Sequence, residues 1–305
     1  MHFGLMNFGG AAARQFGGVG LMVERPGLEL RITPTETFAA NGHLATRVIE
    51  FAARWQAYHR QEMLPACLVE VVTAPREHTG LGVGTQLGMA LAAGLSHFIG
   101  LPEQTPIELA TSVGRGQRSA VGAYGFVLGG LIAERGKLPG EPVSPLDCHL
   151  HLPAEWRVLL VTPQDYVGLA SEDEAQAFAS LPPVGTDVTS ELAKIAREQM
   201  LPAAARGAFG PFAQAVYDYG WRSGECFASI QGGPYNGPRL TAIVDALRAL
   251  GVVGVGQSSW GPTIFALLES EADAERVADA IVRSDAGRDC EVVLSRIARR
   301  GATIQ

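Results

Sequence analysis

The sequence predicts an α+β fold in two domains: an α/β domain with a glycine-rich phosphate loop over residues 1–150, and a ferredoxin-like domain over residues 151–305. Three observations predict it. Leu68-Val69-Glu70-Val71-Val72-Thr73 alternates and is β-rich, and Leu87, Leu91, Leu95 and Phe98 then recur at helical spacing, so a strand and a helix flank Gly80, Gly82 and Gly84. Between Lys137 and Pro153 the composition shifts, with Pro139, Pro142, Pro145 and Pro153 framing a break. The last hundred residues read helix, hairpin, helix, strand, which is the rhythm of a split βαβ layer.

In chain order, Val19–Glu24 and Leu28–Ile32 read as strands around the turn residues Arg25-Pro26-Gly27. A helix follows from His43 to Tyr58, with Leu44, Val48, Phe51, Trp55 and Tyr58 on one face and Asn41 as its cap. Thr105-Pro106-Ile107-Glu108 marks another helix start: a Thr cap, Pro at the first helical position and an acidic residue in the first turn. Beyond the break, Trp156–Val161 is a strand, Arg239–Leu250 a helix, Val252–Val255 and Thr263–Leu268 a hairpin, Ala272–Val282 a helix and Glu291–Leu294 a strand.

The 305 residues are 47% hydrophobic, enough for a full core, and 18% charged, too few for a disordered chain. A net charge of −7 argues against a general nucleic-acid or membrane-surface binder, although a small basic pocket can lie inside an acidic protein. No apolar run reaches membrane-spanning length, and Met1-His2-Phe3-Gly4 lacks the basic region and apolar core of a secretion signal. Cys67, Cys148, Cys226 and Cys290 are scattered without a CxxC pair, so reduced, mostly buried thiols and a cytoplasmic location are expected. His149 and His151 alternate, just before Pro153, and read as a strand or loop pair.

Four constellations carry chemistry. In Gly80-Leu81-Gly82-Val83-Gly84-Thr85-Gln86 the glycines let the backbone approach a ligand, and the following helix offers unpaired N–H groups and its positive end. The run lacks the Lys-Ser/Thr ending of a P-loop, and Gln86-Leu87 stand where a dinucleotide fingerprint needs its third glycine. Gly114-Arg115-Gly116-Gln117-Arg118-Ser119 is a compact set of planar bidentate donors and a hydroxyl, suited to phosphate or carboxylate, with a solvated helix end as the plain alternative. Gly256-Gln257-Ser258-Ser259-Trp260-Gly261-Pro262-Thr263 turns the predicted hairpin; it reads as a sugar-phosphate contact or as a polar turn with its Trp in the core. No GxSxG elbow exists, so a serine hydrolase is not indicated. His2 and Arg14, in His2-Phe3-Gly4-Leu5 and Arg14-Gln15-Phe16-Gly17-Gly18-Val19-Gly20, form a weaker fourth set. Glu172, Asp173 and Glu174 could ligate Mg²⁺ or simply start a helix.

Taken together, these residues resemble the GHMP kinase superfamily: a strand, Pro75 through Gly80-Leu81-Gly82, a helix, and a glycine-rich Gly254–Gly261 hairpin toward the C-terminus. More narrowly, the quoted runs from His2, Arg14, Gly80, Gly114 and Gly256 resemble the β-ribofuranosylaminobenzene 5′-phosphate synthase family over nearly the whole chain. The resemblance implies a two-domain GHMP-kinase-like fold, Mg²⁺ dependence and a homodimer. It implies condensation of 5-phosphoribosyl 1-diphosphate with 4-aminobenzoate or 4-hydroxybenzoate, with release of CO₂ and diphosphate, toward methanopterin-type one-carbon carriers.

Under that resemblance Arg115, Arg118, Ser258 and Ser259 are the expected catalytic residues. Gly80, Gly82, Val83, Gly84, Thr85, Gln86, Ser119, His2, Arg14, Gln257, Trp260 and Gly261 are the expected substrate and phosphate contacts, with no metal ligand assigned. The leaving diphosphate is expected on the N–H groups of Gly82–Thr85, on Arg118 and on Mg²⁺, with Trp260 against the aromatic ring. The resemblance also places a basic residue or two before His2, so either a short first strand or a misplaced start is expected. Superfamily kinases carry two serines where this chain has Val83 and Gly84, and a catalytic Asp near the place of Gly122. Glycine cannot accept a proton, which sets an ATP-dependent small-molecule kinase second and a non-catalytic phosphometabolite binder third.

Overall fold

The computed structural model describes residues 1–10, 14–166 and 180–305. Strands β1 (His2–Asn7) and β2 (Phe16–Leu21) pair antiparallel. β3 (Glu29–Pro34) and β4 (Ala39–Asn41) flank β5 (Cys67–Thr73), the first antiparallel and the second parallel to it. β6 (Leu131–Glu134) and β7 (Leu146–Leu150) complete a sheet ordered β1-β2-β6-β7. Arg25-Pro26-Gly27 thus joins two different sheets. β7 lies within the proline-framed stretch, but the prolines fall outside its five residues, and it pairs antiparallel with β6 with one register shift at Ala133/Glu134. The first strand, at six residues, is not short.

Helix α1 (Ala45–Tyr58) buries Val48, Phe51 and Trp55, whereas Tyr58 is 43% exposed, so the apolar stripe stops one turn early. Asn41 does not cap it. Asn41 ends β4, and its Oδ1 accepts from the Gly42 N–H; Leu44 holds the cap position with no side-chain bond. Helix α2 (Val83–Phe98) buries Leu87, Leu91 and Leu95 completely. Each such leucine contributes roughly 1.5–3 kcal/mol through removal of apolar surface from water. Trp55 Nε1 donates to Ser96 Oγ at 3.0 Å and ties α1 to α2. Helix α3 (Pro106–Ser112) begins at the expected Thr105 cap, and Thr105 and Glu108 bond reciprocally in a capping box. Helix α4 (Val121–Leu128) leads into β6.

The later residues form β8 (Arg157–Pro163), α5 (Thr186–Lys194), a π-helical turn Ile195–Met200, α6 (Leu201–Ala205), α7 (Phe209–Glu225), α8 (Ala228–Gln231), α9 (Gly237–Ala249), β9 (Gly254–Gln257), β10 (Ile264–Leu268), α10 (Glu271–Arg283) and β11 (Cys290–Arg296). The sheet runs β11-β8-β10-β9, every neighbour antiparallel, which is the ferredoxin-like order. Glu172, Asp173 and Glu174 lie outside the described residues.

Strand parity explains why β8 is apolar along its length. Val158 and Leu160 face a core shared with Phe3, Val19, Leu21 and helix α7, while Leu159 and Val161 face α9 and α10. β10 splits in the same way, with Phe265 and Leu267 on the first side and Ile264, Ala266 and Leu268 on the second. Phe3 of β1 meets Phe265 of β10 at 5.2 Å between ring centroids. This shared core brings the loop before α2 against the turn after β9.

Candidate active site

Gly82 is the N-cap of α2 in the left-handed region, at φ 71°, and a side chain there would meet nothing within 4 Å. The loop therefore opens at Gly82. The amides of Thr85 and Gln86 are already taken, donating to the Gly82 carbonyl at 2.9 and 3.0 Å. The expected donor run Gly82–Thr85 thus contracts to the first-turn amides of Val83 and Gly84, which precede the helical ladder. The side chains of the next two residues brace neighbours: Thr85 Oγ1 accepts from Arg115 Nε and Nη2 at 3.3 and 3.1 Å, and Gln86 Nε2 donates to the Gly122 carbonyl at 2.9 Å.

The turn after β9 is mostly a brace. Ser258 is fully buried; its Oγ donates to the Gly80 carbonyl at 2.8 Å and accepts the His2 N–H at 3.3 Å. A hydroxyl so enclosed cannot reach a substrate, so Ser258 is a structural staple and not a catalytic residue. Gln257 spends both ends of its amide inside the protein, accepting from the Asn236 N–H and donating to the Ser259 carbonyl. Gly80 and Gly261 approach so closely that a side chain on either would run into the other's backbone. Ser259 and Trp260 line the cavity, and Trp260 also packs edge-on against Phe227 at 4.9 Å.

The Gly114–Ser119 run lines the opposite wall. Gly114 and Gly116 sit at φ 67° and 79°, conformations that bend the chain so that Arg115 and Arg118 share one wall. Ser119 Oγ donates to Glu134 Oε1 at 2.6 Å, and the Ala120 N–H donates to Glu134 Oε2 at 2.7 Å. Glu134, at the end of β6, has a fully buried side chain and lies 3.9 Å from His2 Nε2. It is the anchor of this loop, and its only trace in the sequence is an acidic residue closing the apolar run Leu131-Ile132-Ala133.

These walls enclose a cavity of about 770 Å³. Four arginines line it: Arg115 and Arg118 from the loop, and Arg47 and Arg54 from α1. The second pair escaped the sequence reading, which used α1 only for its apolar face. Their signal was present, since Arg47, Glu50 and Arg54 recur at i, i+3 and i+7, on the stripe that also holds Phe51. Among the described residues, the cavity carboxylates are Glu50, exposed on α1, and Glu77, which pairs with Arg47. The described lining thus sets four arginines against two carboxylates.

Arg14 stands apart. Its guanidinium is bidentate on Glu141, at 2.7 and 3.0 Å, and also donates to the Gly136 carbonyl, so it pins the 136–141 turn and does not face the cavity. Among the described residues no group of three His, Cys, Asp or Glu is arranged to hold a metal ion, and no helix is long and apolar enough to cross a membrane. His149, in β7, and His151 meet ring to ring at 4.8 Å, as a strand-and-loop pair. Cys67 is buried and the other three cysteines are half-buried, and burial pushes all four thiols above their ordinary range.

Residues 200–286 match the family model described as GHMP kinases C terminal. Solved structures share the architecture almost end to end. Streptococcus pneumoniae phosphomevalonate kinase superposes with a TM-score of 0.68 at 13% identity, covering 97% of this chain and 96% of its own. Homoserine kinase from Cytophaga hutchinsonii gives 0.63 at 18% identity, covering 93% and 90%. By sequence, the chain is 27% identical to beta-ribofuranosylphenol 5′-phosphate synthase of Archaeoglobus fulgidus, over 100% of this chain and 97% of that one. It is 26% identical to the protein of that name from Methanothermobacter thermautotrophicus, over 89% and 87%. The relatives' name carries a phenol where the resemblance read from the motifs carried an aminobenzene. The chain has the GHMP kinase fold, and the curated proteins it resembles along its length are beta-ribofuranosylphenol 5′-phosphate synthases.

Proposed function

We propose that this chain is a phosphoribosyltransferase that joins 5-phosphoribosyl 1-diphosphate to 4-hydroxybenzoate, releasing CO₂ and diphosphate, in the synthesis of a methanopterin-type carrier. The observation that carries the reading is the convergence of Arg47, Arg54, Arg115 and Arg118 with the first turn of α2 on one cavity, in a chain similar throughout to such synthases. The phenol in the relatives' name favours the hydroxy acceptor over 4-aminobenzoate.

The chemistry asks for anion stabilisation more than for a strong base. Breaking the C–O bond builds positive charge on the ribose and negative charge on diphosphate. Arg115, oriented by Thr85, and Arg118 stabilise the departing charge together with the Val83 and Gly84 amides. The ring carbon bearing the carboxylate is the nucleophile, activated by the para hydroxyl. After it bonds to the ribose carbon, loss of CO₂ returns its electron pair to the ring. A carboxylate held tightly by arginine resists leaving as neutral CO₂, so the arginines serve the phosphates and Trp260 packs on the ring. Mg²⁺ usually binds through one or two carboxylates plus substrate phosphates, and exposed Glu50 is a cavity carboxylate that fits this pattern. Bound with the diphosphate, Mg²⁺ would supply charge neutralisation of the leaving group. A homodimer and a cytoplasmic location belong to the same proposal.

The test incubates the protein with Mg²⁺, 5-phosphoribosyl 1-diphosphate and carboxyl-labelled 4-hydroxybenzoate or 4-aminobenzoate. Labelled CO₂ and diphosphate should appear in equal amounts, faster with the hydroxy acceptor. Absence of release with both acceptors would overturn the reading, and acceptor-dependent ATP consumption would replace it with a kinase.

A further inference from the structure

Arg47 of the cavity carries a carboxylate. Its Nη1 pairs with Glu77, and both side chains keep under a third of their surface exposed. Its Nη2 lies 2.6 Å from where a side chain on Gly84 would begin, so the guanidinium leans over the first turn of α2. Its remaining support is apolar, the guanidinium carbon lying 5.7 Å from the centre of the Phe51 ring. Arg54 approaches the same ring at 5.7 Å and reaches back to the Val113 carbonyl.

The backbone under Glu77 is independently fixed. Arg76 donates to the Gln164 carbonyl, Thr79 Oγ1 donates to the Arg76 carbonyl, and the Thr79 carbonyl accepts from the Thr263 N–H. The Glu77 carboxylate is therefore not needed to shape its loop, yet it occupies the guanidinium that leans over the first turn of α2.

Resting on the functional reading above, we propose that Arg47 is a diphosphate-binding residue and that Glu77 is its resident counter-anion, competing with the incoming diphosphate. Without ligand, the pair lowers the cost of holding the Arg47 guanidinium in a cavity that other arginines also line. With ligand, the phosphate oxygens replace the carboxylate on Arg47, and whatever negative charge Glu77 still presents opposes binding. Two substitutions at one ion pair then act in opposite directions. A positioning role for Glu77 predicts the same direction for both.

The experiment titrates inorganic diphosphate by calorimetry in metal-free buffer into the unsubstituted protein, Arg47→Ala, Glu77→Gln and the double variant. Arg47→Ala should weaken binding about tenfold, the scale of one charged hydrogen-bonded pair. Glu77→Gln should tighten it about threefold to fivefold, the scale of a partly exposed ion pair. In the Arg47→Ala background, Glu77→Gln should again tighten binding, because the unpaired carboxylate opposes the diphosphate directly. Thermal unfolding of each variant confirms that it is folded, and Arg47→Lys supplies a charged substitute where Arg47→Ala is not. Weaker binding in Glu77→Gln, or unchanged binding in both Arg47 variants, would overturn the proposal while leaving the cavity's reading intact. Failure of the unsubstituted protein to bind diphosphate would overturn both.

Discussion

The two glycine-rich loops of this chain look alike in sequence and do opposite work. The loop before α2 opens: Gly82 has empty space where a side chain would stand, and two first-turn amides lie beside it. The turn after β9 closes: Ser258 is fully buried, Gln257 has both amide ends bonded inside the protein, and Gly261 abuts the backbone of Gly80. A motif rich in glycine, serine and glutamine is therefore not by itself a contact surface. One such loop stays open because the other holds it in place.

The largest expected effect lies on the open side. Arg118→Ala should lower kcat by roughly 10²–10³, about 2.7–4 kcal/mol of lost anion stabilisation, with the protein still folded by circular dichroism. Near-normal turnover would remove Arg118 from the machinery. On the closed side, Gly261→Ala should cost about 3 kcal/mol of stability, because the obstruction is backbone that cannot rotate away. Urea unfolding measures this, and an unchanged midpoint would show that the two loops do not depend on each other. Gly82→Ala is the intermediate case. It meets no atom, so only its left-handed backbone resists, at about 1–2 kcal/mol, and its methyl group should raise KM for the phosphoribosyl donor more than it lowers kcat. Arg14→Ala should be smallest. Losing a half-exposed ion pair costs about 0–1 kcal/mol, and steady-state kinetics should match the parent protein.

Legibility followed local pattern. The β5–loop–α2 unit, the helix cap at Thr105 and the C-terminal sheet were readable because each rests on periodicity or a short signature. β6 and β7 were not read. Leu131–Glu134 is only four residues long, and β7 hides among prolines, so neither shows a period of its own. Arg115 and Arg118 stood out because glycines surround them. Arg47 and Arg54 did not, because charged residues on a helix ordinarily face solvent, and only the loops opposite turn that face into a wall. Arg14 misled for the converse reason: its glycine-rich surroundings suggested a ligand, but its partner, Glu141, is 127 residues away.

By itself, then, the sequence determined most of the elements, the ferredoxin-like order of the second half, and the presence of a glycine-rich loop at the start of α2. These follow from side-chain periodicity, from φ freedom at glycine and from the polarity of a helix end, all properties of a few neighbouring residues. Tertiary structure alone decided which polar residues face the cavity and which are consumed in holding it together. Ser258 and Ser259 are adjacent in the chain, yet one is sealed against Gly80 and the other lines the cavity. Glu134 gains its place as the anchor of Ser119 only because β6 packs beneath α4. The physical reason is that a hydroxyl, amide or carboxylate satisfies whichever partner the packed cores bring within reach, and those partners are set by contacts between residues far apart in the chain.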